Sequence, residues 1–269
     1  MINIGFWNIG LNSKKITATG ANQSLAWFID KYNLDILAVC EFPQKIASFL
    51  FDCRIRERQY EEAYHIVDRL DTRIFYSKKT ISCLESDNIV DEQMHCLNRF
   101  TGLGISFNLS CVHLPSNLYV DDNTRLIAVH SIKNSINSIE NVFGKNTIIV
   151  GDFNADPHDD TMINAQGFHS LPDRKFVKNG RTILKNYYDA FYNPMWNLYG
   201  DFTPPTGTYF YNNCKSRNQL WYLYDQVIMR YEMIRYFQEN SLMIITENIS
   251  GLTGRPKISD HFPIVFSLK

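Results

Sequence analysis

Short apolar runs rich in β-branched and aromatic residues recur along the whole 269-residue chain, and most stop abruptly at a polar residue. Ile2–Asn8, Asp35–Cys40, Arg73–Tyr76, Gly102–Phe107, Ser110–Leu114, Thr147–Val150, Tyr224–Met229 and Phe262–Leu268 have the length and composition of strands. Two longer stretches carry apolar residues at helical spacing. Thr17–Tyr32 does so through Leu25, Phe28 and Ile29, and Asp121–Val142 through Leu126, Val129, Ile132, Ile136 and Ile139. The first forty residues alternate strand, helix and strand, whereas Ser82–Leu114 reads as consecutive strands. Mixed sheets covered by helices reconcile the two patterns. No repeat, low-complexity tract or Pro/Gly-rich linker divides the chain, so residues 1–269 are expected to form one domain. From Tyr187 to Tyr224 aromatics are dense and prolines frequent, which predicts a long packed loop region.

Hydrophobic residues at 45% and charged residues at 20% exclude a disordered chain. The start, MINIGFWNIG, lacks a basic region followed by a long apolar stretch, and no run is apolar enough to span a bilayer; a cytoplasmic location is expected. Cys40, Cys53, Cys83, Cys96, Cys111 and Cys214 form no CxxC pair and read as reduced core thiols. A net charge of −1 gives no global attraction for nucleic acid. Basic clusters at Lys14–Lys15, Arg54–Arg58 and Arg174–Arg181 read as solvated faces before phosphate tracks.

The polar residues at the strand ends carry the chemistry. In TIIVGDFNADP a buried strand runs into Gly151 and then presents Asp152 and Asn154, two apart and therefore on one side of an extended segment. A carboxylate there can take a proton from water, and an amide can hold a phosphate oxygen. An Asx turn is the plainer alternative. In ISDHFPIVFSL, Asp260 and His261 precede the last strand, offering a metal ligand and an imidazole for a phosphate oxygen, or else a surface turn. Asp225 opens the strand of LYDQVIMR, where it could orient His261 through its second ring nitrogen. Glu41 directly follows the buried run DILAVC, and a carboxylate so placed needs a cation, for which Mg²⁺ or Mn²⁺ suits its hard oxygens. Asn8 and His113 end their strands in the same manner.

Taken together, Trp7–Asn8, a strand ending in Glu41, VHLPS around His113, GDFN at Gly151–Asn154, YDQV at Tyr224–Val227 and SDHFPI at Ser259–Ile264 resemble the endonuclease/exonuclease/phosphatase, or DNase I-like, superfamily. The resemblance spans residues 2 to 268. It implies a four-layer α/β/β/α sandwich, with two mixed β-sheets face to face, helices outside and the active site at one sheet edge. It also implies roles. Glu41 would ligate Mg²⁺ or Mn²⁺, helped by Asn8 and Asp260. Asp152 would activate the attacking water, and Asn154 would position the phosphate. His261, paired with Asp225, would stabilise charge on the phosphoryl oxygens, and His113 would bind the phosphate or assist the leaving oxygen. Abasic-site endonucleases usually carry an acidic or amide residue where this chain has Gly10, and Tyr where it has His113. The branches using His there look closer, as does a group of uncharacterised bacterial members.

The leading expectation is therefore a metal-dependent phosphodiesterase with DNA or RNA as partner. A second keeps the chemistry and changes the substrate to an inositol phosphate, lipid headgroup or nucleotide. A lipid enzyme should display an exposed apolar hairpin or amphipathic helix, and none is evident in the sequence. A catalytically silent binding module is the third reading, opposed by the complete set of acid, base and metal positions.

Overall fold

The computed structural model describes residues 1–11, 16–43, 47–64, 72–84, 94–116, 118–202, 204–212, 220–247 and 257–269. Lys14–Lys15 and Cys214 lie outside them. Two large sheets are built from β1 (Ile2–Asn8), β2 (Ile36–Cys40), β3 (Tyr60–Glu62), β4 (Thr72–Ser77), β5 (Ser82–Leu84), β6 (His95–Gly102), β7 (Ile105–His113), β8 (Thr147–Asp152), β9 (Ser170–Leu171), β10 (Phe191–Tyr192), β11 (Asp225–Met229), β12 (Met243–Ile244) and β13 (Ile264–Leu268). The first sheet runs β12-β13-β1-β2-β4-β3 and the second β5-β6-β7-β8-β11-β10-β9. Each is mixed, with a parallel pair at its heart, β1 with β2 and β7 with β8.

Alternation along the strands explains the layers. Ile4, Phe6, Ile36, Ala38 and Cys40 of the first sheet share a core with Phe107, Leu109, Cys111, Ile148, Val150 and Val227 of the second. The opposite faces are just as apolar. Trp7, Leu37 and Val39 pack on helix α1 (Ala18–Lys31), while Val112, Ile149 and Ile228 pack against helix α2 (Asp122–Phe143). Strands buried on both faces have to be apolar throughout, which is why they read as continuous runs. The result is the four-layer sandwich of two mixed sheets with helices outside. Each helix also serves as the crossover between the two strands of a parallel pair.

Both helices begin on expected caps: Thr17 accepts from Gly20 N–H and Asp121 from Thr124 N–H. The core stripe of α2 departs from expectation at its first position, where Arg125 is only 1% exposed and Leu126 half-buried. Gly151 is required for a different reason: a Cβ there would fall 2.0 Å from the carbonyl oxygen of Val112, so β7 and β8 approach only because it is absent.

Three local expectations need correction. Gly102–Phe107 is not one continuous strand: Gly102 ends β6, Leu103 and Gly104 make a hairpin turn at positive φ, and Ile105–Phe107 open β7, the same long strand that holds most of Ser110–Leu114. Cys53 is exposed on a short surface helix and Cys83 half-buried at a sheet edge, whereas Cys40, Cys96 and Cys111 are core thiols. The 187–224 region holds more structure than a loop, including β10, a 3₁₀ turn at Pro194–Leu198 and a ribbon pairing Tyr209–Phe210 with Trp221–Tyr222. No helix among the described residues is long and apolar enough to cross a membrane.

Candidate active site

The two parallel pairs end at one rim. Asn8 stands beside Cys40, the residue before Glu41, and His113 stands beside Asp152. β11 starts at the same rim with Asp225 opposite Asp152, and His261 lies just before β13. Polar side chains from both sheets thus meet at the top of the sandwich. The chain must turn out of its strands there, and Glu41 (φ 53°) and Asn154 (φ 45°) do so in the left-handed region.

Asp152 sits at the centre, buried. Its Oδ2 accepts from Asn8 Nδ2 at 2.9 Å and lies 3.7 Å from Nε2 of both His113 and His261; its Oδ1 accepts from the backbone N–H of Asn154 at 2.8 Å. Asn8 also donates to Glu41 Oε1 at 3.3 Å, so two carboxylates converge on one amide group. The amide oxygen of Asn8 accepts from Gly10 N–H at 3.1 Å. Asn8 therefore turns its NH₂, not its oxygen, toward the carboxylates, an assignment that follows from these partners. Asn154 Nδ2 donates to the carbonyl of Leu114 at 2.8 Å, tying the ends of β7 and β8 together.

His261 and Asp225 form a buried dyad, Nδ1 to Oδ2 at 2.8 Å. Burial alone would lower the imidazole pKa, but the carboxylates of Asp225 and Asp152, joined by Asp260, outweigh it and push it up to about 10. Burial raises the carboxyl of Asp225, opposed by the charge of His261. The dyad is thus an ion pair whose free Nε2 points at Asp152. One ligand atom each from Asp152, Asp225 and His261 fits within 4.8 Å, which suggests a metal trio. Within that trio Nδ1 of His261 and Oδ2 of Asp225 already bond each other at 2.8 Å. Asp152, Asp225 and Asp260 act on one imidazole while Glu41 shares the amide of Asn8 with Asp152, and that excess of hard, negative oxygen suits a divalent cation.

All eight residues expected at the site lie on this rim, with Asp260 located by its charge on His261 and Tyr209. Others went unread. Ser259 accepts from His261 N–H and donates to the carbonyl of Asn8, joining β1 to the last segment. Thr208 Oγ1 receives the N–H of Asp225. Buried Arg125 donates to the carbonyls of Phe153 and Asn154 at 3.0 and 2.9 Å. It was signalled by a cation on the apolar stripe of α2, spaced four residues from Val129. Tyr209 bridges the backbone of His261 and lays its ring 4.6 Å from the imidazole, with Tyr224 and Tyr211 stacked beside it. The basic cluster at Arg54–Arg58 stands away from this rim, with Arg54 paired to Asp52.

A family model described as the endonuclease/exonuclease/phosphatase family matches residues 5–261. No curated protein matches the chain in sequence. Among solved structures, the chain resembles a Bacteroides thetaiotaomicron mannosyl-6-phosphatase (TM-score 0.66, 14% identity, 100% of both chains covered). It also resembles D. rerio TDP2 complexed with single strand DNA product (0.59, 16%, covering 100% of this chain and 98% of that one) and the human Nocturnin catalytic domain with bound sulfate (0.60, 14%, 100% and 94%). At such identities the likeness is one of fold, and it matches the sandwich described above. With the sandwich, the matched span and the polar rim in agreement, the chain belongs to the endonuclease/exonuclease/phosphatase family of phosphate-ester hydrolases.

Proposed function

We propose that the protein is a divalent-metal-dependent phosphodiesterase acting on nucleic acid. One observation carries the chemistry: Asp152 is surrounded by Asn8, His113, Asn154 and the His261–Asp225 ion pair, all within hydrogen-bond or ion-pair reach. Hydrogen bonds from Asn8 and Asn154 orient its carboxylate, so it can accept a proton from water as the water oxygen bonds to phosphorus. The P–O bond to the leaving oxygen breaks on the opposite side, and the leaving group departs as an alkoxide that takes up a proton. His261, kept cationic by Asp225, faces the charge that develops on the phosphoryl oxygens; His113 and Asn154 position the phosphate. A bound Mg²⁺ or Mn²⁺ would neutralise phosphate charge, with Glu41 and Asp260 holding it and Asn8 setting the carboxylates. The tyrosines at 209, 211 and 224 offer planar surfaces next to the dyad, on which a base can stack for roughly 1–3 kcal/mol.

The test is turnover of single- and double-stranded DNA, RNA and a panel of phosphomonoesters, with Mg²⁺ or Mn²⁺ and with EDTA. Polynucleotide cleavage should require the metal and fall at least about 10³-fold in Asp152→Ala. Equal turnover by both proteins, or indifference to chelation, rules the mechanism out. Cleavage restricted to phosphomonoesters or phosphoinositides would leave the chemistry and remove the nucleic-acid substrate.

A further inference from the structure

The stretch Arg174–Tyr188, RKFVKNGRTILKNYY, contains five cations and no acid, in a chain whose net charge is −1. It folds as a short helix, Arg174–Asn179, a turn at Gly180 (φ 56°), and a ribbon pairing Arg181–Ile183 with Asn186–Tyr188. The two residues at the ribbon's tip are Leu184 and Lys185, both at positive φ (48° and 67°). Such mirror-image turns normally use Asn and Gly, which tolerate that backbone. Here a leucine occupies the strained position and is 91% exposed, and Phe176 (66%) and Tyr187 (56%) of the same segment are exposed too. Lys175, Lys178, Arg181 and Lys185 are exposed around them, while Arg174 is paired with Glu239. Exposed apolar side chains on a segment whose own charges are all positive make an amphipathic, cationic prong; the nearby carboxylate of Asp189, at the base of the ribbon, is already engaged by Lys145.

Its position is set by the second sheet. Lys145, just before β8, binds the carboxylate of Asp189 at 2.7 and 2.8 Å at the base of the ribbon, and Tyr192 pairs with Met229 at the end of β11 remote from Asp225. Asp152 lies at the other end of β8, about 17 Å of strand away. The prong is therefore at the pole opposite the catalytic rim.

We propose that this prong docks the protein on an anionic lipid bilayer, with Leu184, Phe176 and Tyr187 entering the headgroup boundary and the surrounding Lys and Arg side chains meeting lipid phosphates. Charge complementarity names an anionic surface, and the leucine at the tip distinguishes lipid from nucleic acid, which offers stacking to aromatics but little to an isobutyl group. Docked so, the catalytic rim faces away from the membrane. The hairpin thus argues for a tethered enzyme with a soluble substrate, not for hydrolysis of the lipid beneath it.

Flotation with vesicles of phosphatidylcholine alone and of phosphatidylcholine with phosphatidylglycerol tests the proposal on the full chain. Wild type should bind only the anionic vesicles, less at high salt, and Leu184→Ser should bind about tenfold more weakly, as expected for losing one inserted aliphatic side chain. Leu184→Trp should restore binding, and its indole emission should shift to the blue on anionic vesicles. Hydrolysis of bis(p-nitrophenyl) phosphate should be the same for all three proteins, so that vesicle binding is read separately from catalysis. Failure of wild type to float, equal flotation of Leu184→Ser, or an unshifted indole would overturn the proposal. So would loss of DNA or RNA binding, measured by gel shift in an Asp152→Ala background, on reversing Lys178, Arg181 and Lys185 to Glu.

Discussion

In the proposed mechanism Asp225 would act through another residue. It fixes which nitrogen of His261 faces Asp152 and keeps the ring charged. Asp225→Asn is expected to lower kcat about 10²-fold with little change in KM, since the amide neither holds the charge nor orients the ring as firmly. The pair also links stability to pH. Because the folded pKa of His261 lies above its usual 6.5, its stabilising contribution is complete below that pH and is lost as pH rises to about 10. Denaturant unfolding of the metal-free protein across this window should show wild type losing stability faster than Asp225→Asn; parallel curves would mean the imidazole is neutral. At this scale the sequence was readable wherever a polar residue followed an apolar run, as at Glu41, Asp152 and Asn8. It was silent on Thr208 and showed Ser259 only as the start of SDHFPI without a role, because both hydroxyls act by receiving a backbone N–H that only the folded chain brings near.

Whole elements were legible in proportion to how strongly their periodicity was enforced. β1, β2, β8 and β11 are buried on both faces and announced themselves; the β6–β7 turn did not, because Leu103 looks like part of a strand until its positive φ is seen. Helix α2 was read correctly in extent but misread at its first turn, where Arg125 takes the core position and reaches the carbonyls after β8. Removing that side chain leaves two carbonyls without a cationic donor. Arg125→Met should cost about 2–4 kcal/mol in urea unfolding and reduce turnover as Asn154 loosens. A variant of unchanged stability would show that the GDFN segment holds its shape without the helix.

For the molecule as a whole, mixed alternation and helix placement were enough to expect two sheets with outer helices, but not to say that each sheet would send half the polar rim. Asn8 ends a strand of the first sheet, with Glu41 and His261 on segments flanking two others, while His113, Asp152 and Asp225 sit on strands of the second, so the site depends on how the two sheets pack. A cation bound across that junction should tie the layers together. Millimolar Mg²⁺ or Mn²⁺ is expected to raise Tm by a few degrees in wild type and not in Glu41→Gln, by the usual linkage of ligand binding to folding. An equal rise in both proteins would place the cation elsewhere.

The left-handed turn at Glu41 carries a consequence for how this protein would respond to selection. A side chain at that φ is strained, and glycine there should relax the backbone by about 1 kcal/mol while also thinning the crowd of carboxylates. Glu41→Gly should therefore melt at a higher temperature than wild type and hydrolyse nothing, and a lower melting temperature would refute the idea. A population screened for heat resistance alone would drift toward inert variants at this one position, whereas any screen that includes turnover would hold the strained glutamate in place.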